Sequence, residues 1–226
     1  MKQIFINLFY WIADYLYVAK EEIGGLLDPD KSVNYRLHGG ESIILIPGVY
    51  EGWHFVKPIA RLLYKHGYDV HIVDDLGYNR GTVEEMAEVV KKYITKQSLH
   101  NVTIISHSKG GLIGKYLLAM VPEPVVINKL IALNAPFSGS KYAYLLPFRT
   151  LRIFTPNSKI LTELALDTIS NSRIVSIFRK FDPHIPGGSM LNGAKNVQLN
   201  TYGHFRIIND SKVHNAILLN LKPTIK

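Results

Sequence analysis

The chain has 226 residues, of which 47% are hydrophobic and 19% are charged, so it is globular rather than a disordered tail, a collagen-like repeat or a coiled coil. It contains no cysteine, which excludes a disulfide scaffold, a cysteine-ligated metal centre and a thiol nucleophile. Its 26 basic and 18 acidic residues give a net charge of +8, which favours an anionic partner or substrate.

The first 30 residues predict an amphipathic helix, because apolar residues recur at helical spacing from Ile4 to Ala19, with Asp14 among them. The apolar run is too short for a membrane span, and no cleavage site follows a basic start. We therefore expect neither a transmembrane segment nor a signal peptide. The helix is predicted to pack on the domain, with contact to an anionic membrane surface as the alternative. The protein is expected to be cytoplasmic, and peripherally bound to a membrane in the second case.

From Ser42 onward, short apolar β-branched runs alternate with segments of helical spacing. The predicted strands are 42–47, 69–73, 101–106, 129–133, 174–181 and 197–200, and the predicted helices are 54–66, 82–96, 109–120, 158–166 and 211–221. Near-continuously apolar strands separated by helices are typical of a parallel sheet covered on both faces. We therefore expect one α/β domain over residues 1–226, with an open, mostly parallel sheet of about six strands and helices on both faces.

Residues 137–173 separate two predicted strands and are longer than an ordinary connection. An excursion from the strand ends of such a sheet usually covers the site there, so this segment is predicted to be a short lid. Residues 1–128 contain 13 basic and 14 acidic residues, whereas residues 129–226 contain 13 and 4. Because the excess positive charge follows the lid, we expect an anionic substrate or lipid surface at the rim of the site.

A nucleophile is predicted at Ser108, where an apolar strand runs directly into a helix. A turn this tight strains its central residue and requires small residues two positions before and after it, which Ser106 and Gly110 provide. The alternative is a phosphate-binding turn, but the glycine patterns of nucleotide-binding loops are absent.

A serine nucleophile needs a base, and the base needs an orienting acid. Asp182 follows the predicted strand 174–181, and His204 stands just after the strand 197–200. His184 is the rival base, and Asp167 and Asp210 are weaker candidates for the acid. No H-E-x-x-H or comparable cluster is present, so no metal is expected.

The oxyanion hole is predicted from two backbone N–H groups, that of Lys109 directly after the nucleophile and that of Val49 after the first sheet strand. Gly48 would let the backbone approach the substrate closely. Tyr50 is the alternative to Val49 as donor.

These motifs resemble those of the α/β-hydrolase superfamily, in its lipase and esterase branch. The resemblance runs from about residue 42 to 221 and rests on five short segments, 47–51, 107–111, 136–140, 182–186 and 203–205. The order Ser108, Asp182, His204 matches the family's order of nucleophile, acid and base. Pro47 stands where the family usually has His, and Ser106 stands where it usually has Gly.

The resemblance implies a serine carboxylester hydrolase that forms an acyl-enzyme on Ser108, acts on a small-molecule or lipid ester and needs no cofactor. The predicted substrate contacts are Tyr50, His107, Phe137, Tyr142, Leu145 and His184. An acyltransferase or thioesterase with the same triad is one alternative, and a non-catalytic ligand-binding protein of this fold is another. Nucleic-acid binding is not expected, because no recognised module accompanies the charge.

Overall fold

The computed structural model describes residues 2–27, 35–37, 39–120, 127–145 and 148–221. Residues 1 and 28–30 of the predicted first helix and residues 146–147 of the predicted lid lie outside the described residues. The helices are α1 Lys2–Leu27, α2 Trp53–Lys65, α3 Val83–Lys96, α4 Lys109–Met120, α5 Arg149–Arg152, α6 Lys159–Leu166 and α7 Ser211–Leu221. The strands are β1 Ser42–Ile46, β2 Asp69–Ile72, β3 Val102–His107, β4 Ile127–Leu133, β5 Ile174–Phe181 and β6 Lys195–Tyr202.

The six strands form one sheet in the order β2-β1-β3-β4-β5-β6, and every neighbouring pair is parallel. The carboxyl ends of all strands therefore meet at one edge of the sheet. The strand that leads to Ser108, β3, lies between β1 and β4 near the middle. The predicted fold class, an open parallel α/β sheet, is confirmed.

Alternate residues of each central strand enter two separate cores, one on each face of the sheet. On β1, Ile44 and Ile46 pack with residues of α3 and α4, whereas Ile43 and Leu45 pack with residues of α2 and α7. This alternation follows from the two-residue repeat of a strand. It explains why the strands are apolar almost throughout, since both faces are covered.

Helix α1 buries different residues from those that its sequence pattern predicts. Asp14 has no exposed surface, whereas Leu8, Ile12 and Leu16 are at least half exposed. Only part of the predicted apolar stripe therefore packs on the domain. Among the described residues, no helix is both long enough and apolar enough to cross a bilayer.

The predicted lid contains a 3₁₀ turn at Lys141–Leu145, the helices α5 and α6 and a second 3₁₀ turn at Ser170–Arg173. Leu161 and Leu164 of α6 are buried in the same core as α4. The buried Nζ of Lys115 on α4 donates to the side chain of Asn171 at 2.6 Å. The second half of this segment is thus anchored to the main body of the protein.

Candidate active site

Ser108 lies in a sharp turn between β3 and α4, at the carboxyl edge of the sheet. Its φ is 49°, in the left-handed region that a residue with a side chain rarely adopts. Its N–H donates to the carbonyl oxygen of Leu133 on β4 at 2.9 Å. A Cβ atom at Gly110 would lie 2.5 Å from the carbonyl oxygen of Ile46 on β1, so only glycine fits there. The two neighbouring strands therefore hold the turn in its strained conformation.

Ser108, His204 and Asp182 form one hydrogen-bonded line. Nε2 of His204 lies 3.1 Å from Oγ of Ser108, and Nδ1 of His204 lies 2.6 Å from Oδ2 of Asp182. All three side chains are buried. This arrangement can transfer the proton of a serine hydroxyl to an imidazole whose charged form a carboxylate stabilises.

The environment shifts the pKa values of the acid and the base in opposite directions. Burial alone would raise the pKa of Asp182, but the charge and hydrogen bond of His204 and the N–H of His184 outweigh it and lower the pKa. Burial alone would lower the pKa of His204, but the carboxylate of Asp182 outweighs it and raises the pKa above the ordinary value. The imidazole is thereby suited to take up a proton.

His107 does not contact the cavity as predicted, because neighbouring residues of a strand point to opposite faces of the sheet. The ring lies fully buried against Phe55 of α2, behind His204, and does not line the cavity. Its Nδ1 lies 2.8 Å from a carboxylate oxygen of Glu51, and its Nε2 lies 3.1 Å from the carbonyl oxygen of His204. His107 therefore does not contact the substrate cavity, contrary to the prediction, but connects the loop after β1 to the loop that carries His204.

The loop after β1 places Val49, one of the two residues predicted to form the oxyanion hole, beside the cavity. The N–H of Gly48 donates to the carboxylate of Glu51 at 2.6 Å, so it is not available to an oxyanion. Val49, the next residue, lines the cavity. Lys109 is the first residue of α4, and the first N–H groups of a helix have no acceptor within it. Both predicted donors thus lie on the elements that flank Ser108.

The side chain of Lys109 has a structural contact that the sequence did not indicate. It is fully buried, and its Nζ donates to the carbonyl oxygens of Asn79, at 2.8 Å, and Gly81. Burial lowers the pKa of this lysine to about 8. Because the side chain of Asn79 donates to the carbonyl oxygen of Pro47 at 2.7 Å, this contact connects the nucleophile turn to the loop after β1.

A cavity of about 770 Å³ opens above Ser108. Of the predicted substrate contacts, Tyr50, Tyr142 and His184 line it. Phe137 and Leu145 do not line it, because Phe137 is packed in the core and Leu145 is 81% exposed on the outer side of the 3₁₀ turn. The further lining residues that the sequence analysis missed include Leu8, Trp11, Tyr15, Val18, Leu151 and Phe205.

His184 belongs to the wall of this cavity. Its Nε2 lies 3.0 Å from the hydroxyl of Tyr15 on α1. Its ring stacks against that of Trp11 and lies tilted beside that of His204. Burial, with a smaller contribution from the charge of His204, lowers the pKa of His184 to about 3. The ring is therefore neutral near pH 7.

Asp182, His184 and His204 also offer three ligand atoms within 4.8 Å of one another, a spacing that a metal ion accepts. However, the nearest oxygen of Asp182 and Nδ1 of His204 are already hydrogen-bonded at 2.6 Å. An ion between them would break the line to Ser108, so the geometry favours proton transfer over metal binding.

Comparisons with known proteins agree with this architecture. The sequence pattern of the alpha/beta hydrolase fold matches residues 41–218. Triacylglycerol lipases of Pseudarthrobacter phenanthrenivorans and Burkholderia plantarii are each 24% identical over 112 residues, which is 47% of this chain and 34% and 30% of theirs. The match thus spans about a third of the length of those relatives.

Solved structures resemble the whole fold at low identity. A lipase of Bacillus licheniformis in its mature form is 14% identical, with a TM-score of 0.65 over 85% of this chain and 96% of that one. A monoacylglycerol lipase of Paleococcus ferrophilus is 14% identical, with a TM-score of 0.55 over 80% of this chain and 93% of that one. At such identity the likeness is one of fold.

The low pKa of His184 predicts a pH dependence of stability. Between pH 6.5 and about 3, the unfolded histidine binds a proton that the folded one does not, so this group makes the protein less stable as the pH falls. His184→Phe keeps a stacked ring but removes the titration. The slope of the free energy of unfolding against pH should decrease by up to about 1.4 kcal/mol per pH unit in this window. Urea unfolding at several pH values measures it, and parallel curves for wild type and variant would contradict the assignment.

Proposed function

The chain belongs to the alpha/beta hydrolase fold family, and from this membership we propose that it is a serine carboxylester hydrolase acting on a small-molecule or lipid ester. The observation that carries the proposal is the hydrogen-bonded line from Ser108 through His204 to Asp182 at the floor of the cavity. The activity named for the curated relatives, triacylglycerol lipase, supports an ester as the substrate.

In the first half of the proposed reaction, Oγ of Ser108 attacks the ester carbonyl carbon while Nε2 of His204 takes the hydroxyl proton. Asp182 keeps the imidazole in the required tautomer and stabilises its charged form. The carbonyl oxygen becomes an oxyanion that accepts hydrogen bonds from the N–H groups of Val49 and Lys109, each contributing about 3 kcal/mol. The tetrahedral intermediate then collapses, His204 protonates the leaving alkoxide, and the acyl group stays on Ser108.

In the second half, water replaces the alcohol. His204 removes a proton from the water, whose oxygen attacks the acyl carbon, and the proton then returns to Oγ of Ser108 as the carboxylic acid leaves. Since every proton passes through His204, the reaction needs no cofactor. An added alcohol or amine in place of water would make the same chemistry an acyl transfer.

The lining of the cavity supports an ester with an apolar acyl part. Trp11 and Tyr15 of α1 form one wall, and Leu151 and Phe154 of the predicted lid form another. Apolar walls with a few convergent polar groups are typical of sites for small organic molecules. The polar groups here include those of the catalytic residues, Ser140 and Glu51.

The surface around the cavity supports contact with an anionic lipid surface during catalysis. The elements that line the cavity, α1 and the predicted lid, also carry exposed apolar side chains, among them Phe9, Leu16 and Tyr144. Exposed apolar patches, unlike single exposed side chains, are typical of interaction sites. The lid adds Lys141 and Arg152, whose charge is complementary to anionic headgroups.

The proposed nucleophile is tested by a fluorophosphonate probe. Wild type should be labelled once, at Ser108, and should hydrolyse a panel of acyl esters of graded chain length. Ser108→Ala should lose both the labelling and the hydrolysis, and Asp182→Asn should lower kcat about 10⁴-fold. Ser106→Ala is the matched control, because this neighbouring serine is buried with its hydroxyl unpartnered in the described structure, so labelling should persist. Folded wild-type protein that is neither labelled nor active on any acyl ester would overturn the proposal.

The membrane contact is tested by co-sedimentation with vesicles. Binding should be stronger to vesicles containing phosphatidylserine than to neutral ones, and Lys141→Gln should reduce this difference. Phe9→Ser combined with Leu16→Ser should weaken binding to both kinds, since the two exposed side chains supply apolar contact. Equal binding of wild type to both vesicles, or no binding, would contradict the expected anionic surface.

A further inference from the structure

Asp14 is a buried carboxylate in the apolar part of α1, and it contacts the loop that carries His204. Its Oδ2 accepts a hydrogen bond from the backbone N–H of His204. Its Oδ1 accepts hydrogen bonds from the backbone N–H and from Nε of Arg206, each at 3.3 Å. The two segments are 190 residues apart in the chain, so this contact joins α1 to the far end of the fold.

Gly203 makes room for this contact. Its φ of +105° strongly favours glycine, and a Cβ atom there would lie 2.6 Å from Oδ1 of Asp14. Any side chain at position 203 would push α1 away from the loop. The glycine directly before the proposed base is therefore explained by the approach of Asp14 as well as by its own backbone conformation.

Stability alone does not account for a carboxylate at this position. A buried charge is costly unless it is compensated, as Asp14 is by the guanidinium of Arg206 and two backbone N–H groups. Even a well-compensated buried ion pair is often no more stable than apolar side chains of similar volume. An apolar residue at position 14 would also suit the apolar stretch around it. The presence of a carboxylate at this position is therefore better explained by an effect on the loop that it contacts.

We propose that Asp14 is a positioning residue that fixes the backbone of His204 and thereby holds its imidazole between Asp182 and Ser108. The carbonyl oxygen of His204 is held from the other side, by Nε2 of His107 and Nδ2 of Asn134, each at 3.1 Å. Without Asp14 the N–H side of the residue is free to shift. This inference rests on the proposed function and assigns no chemical step to Asp14 itself.

The consequence for the fold is that α1 is part of the active site. It ends at Leu27, before the region that matches the family pattern begins at residue 41. The same helix supplies Trp11 and Tyr15 to the cavity wall. Asp14 thus couples the wall of the substrate cavity to the position of the base.

Asp14 also acts on His204 through its charge. Burial lowers the pKa of His204, and the carboxylates of Asp182, Glu51 and Asp14 together raise it above its ordinary value. Further titratable or charged groups face this histidine or the carboxylates beside it, namely His107, His184, Arg179, Arg206, Tyr15, Tyr17 and Glu22. Loss of the Asp14 charge should therefore lower the pKa of His204.

The test compares Asp14→Asn with wild type in ester hydrolysis. Asparagine preserves the shape but replaces one of the two acceptor oxygens with an NH2 group, so one set of loop donors loses its acceptor. We expect kcat to fall about 10- to 100-fold, as for small displacements of a catalytic group. KM should change little, because the cavity wall is retained. The acidic limb of the kcat/KM profile, which reports the base in the free enzyme, should move to lower pH. A loss of folded protein alone would not move this limb.

A second variant keeps the test decisive if Asp14→Asn does not fold. Arg206→Gln retains the carboxylate and its backbone hydrogen bonds but removes the cation that pairs with it. The acidic limb should then move to higher pH, opposite to the shift in Asp14→Asn. Glu21→Gln is the matched control, since it removes a carboxylate from the same helix outside the cavity and should leave the profile unchanged.

The outcomes separate this inference from the proposed function. Wild-type protein without ester hydrolysis would overturn the proposed function itself. Active wild type together with unchanged kcat and unchanged acidic limbs in both variants would overturn the role of Asp14 alone. Equal shifts in Glu21→Gln would also overturn it, because they would assign the effect to the net charge of the helix.

Discussion

Both backbone polar groups of His204 are hydrogen-bonded inside the protein, the N–H to Asp14 and the carbonyl oxygen to His107 and Asn134. The two ring nitrogens of the same residue lie between Asp182 and Ser108. A displacement of the backbone would therefore lengthen both contacts of the ring at once. The remaining parts of the site depend on this fixation, since a serine in a strained turn can act as a nucleophile only beside a base at the right distance.

The base loop is connected to the loop after β1 through one buried network. Glu51 accepts from the N–H of Gly48 and from His107, and the other nitrogen of His107 reaches the carbonyl oxygen of His204. Buried polar groups stabilise a structure only when their partners are in place. The orientation of the proposed oxyanion loop and the position of the base are consequently set by the same hydrogen bonds.

Much of the architecture could be predicted from local sequence patterns. The apolar β-branched runs identified the inner strands, since a doubly covered parallel sheet requires them. The small residues around Ser108 indicated the sharp turn, because side-chain size at these positions is a steric requirement. Asp182 and His204 could be proposed because each follows a strand, and the carboxyl ends of parallel strands meet at one edge.

The contacts between distant segments could not be predicted in this way. Hydrophobic periodicity assumes that the apolar stripe of a helix is buried, whereas hydrogen bonds of Asp14 orient α1 and leave Ile12 and Leu16 exposed. His107 and Phe137 lie within the predicted motifs, but their side chains pack inside the protein and do not line the cavity. For α1, the sequence feature that could have indicated this orientation was the single carboxylate, Asp14, within its apolar stretch.

A crystal structure of the fluorophosphonate adduct would test the proposed chemistry most directly, since the phosphonyl oxygen occupies the place of the oxyanion. We predict a covalent bond to Oγ of Ser108 and an oxygen roughly 2.7–3.1 Å from the backbone nitrogens of Val49 and Lys109. His204 should remain bonded to Asp182, with its backbone N–H still on Asp14. An adduct on another residue, or an oxygen that contacts neither amide, would contradict the proposed site.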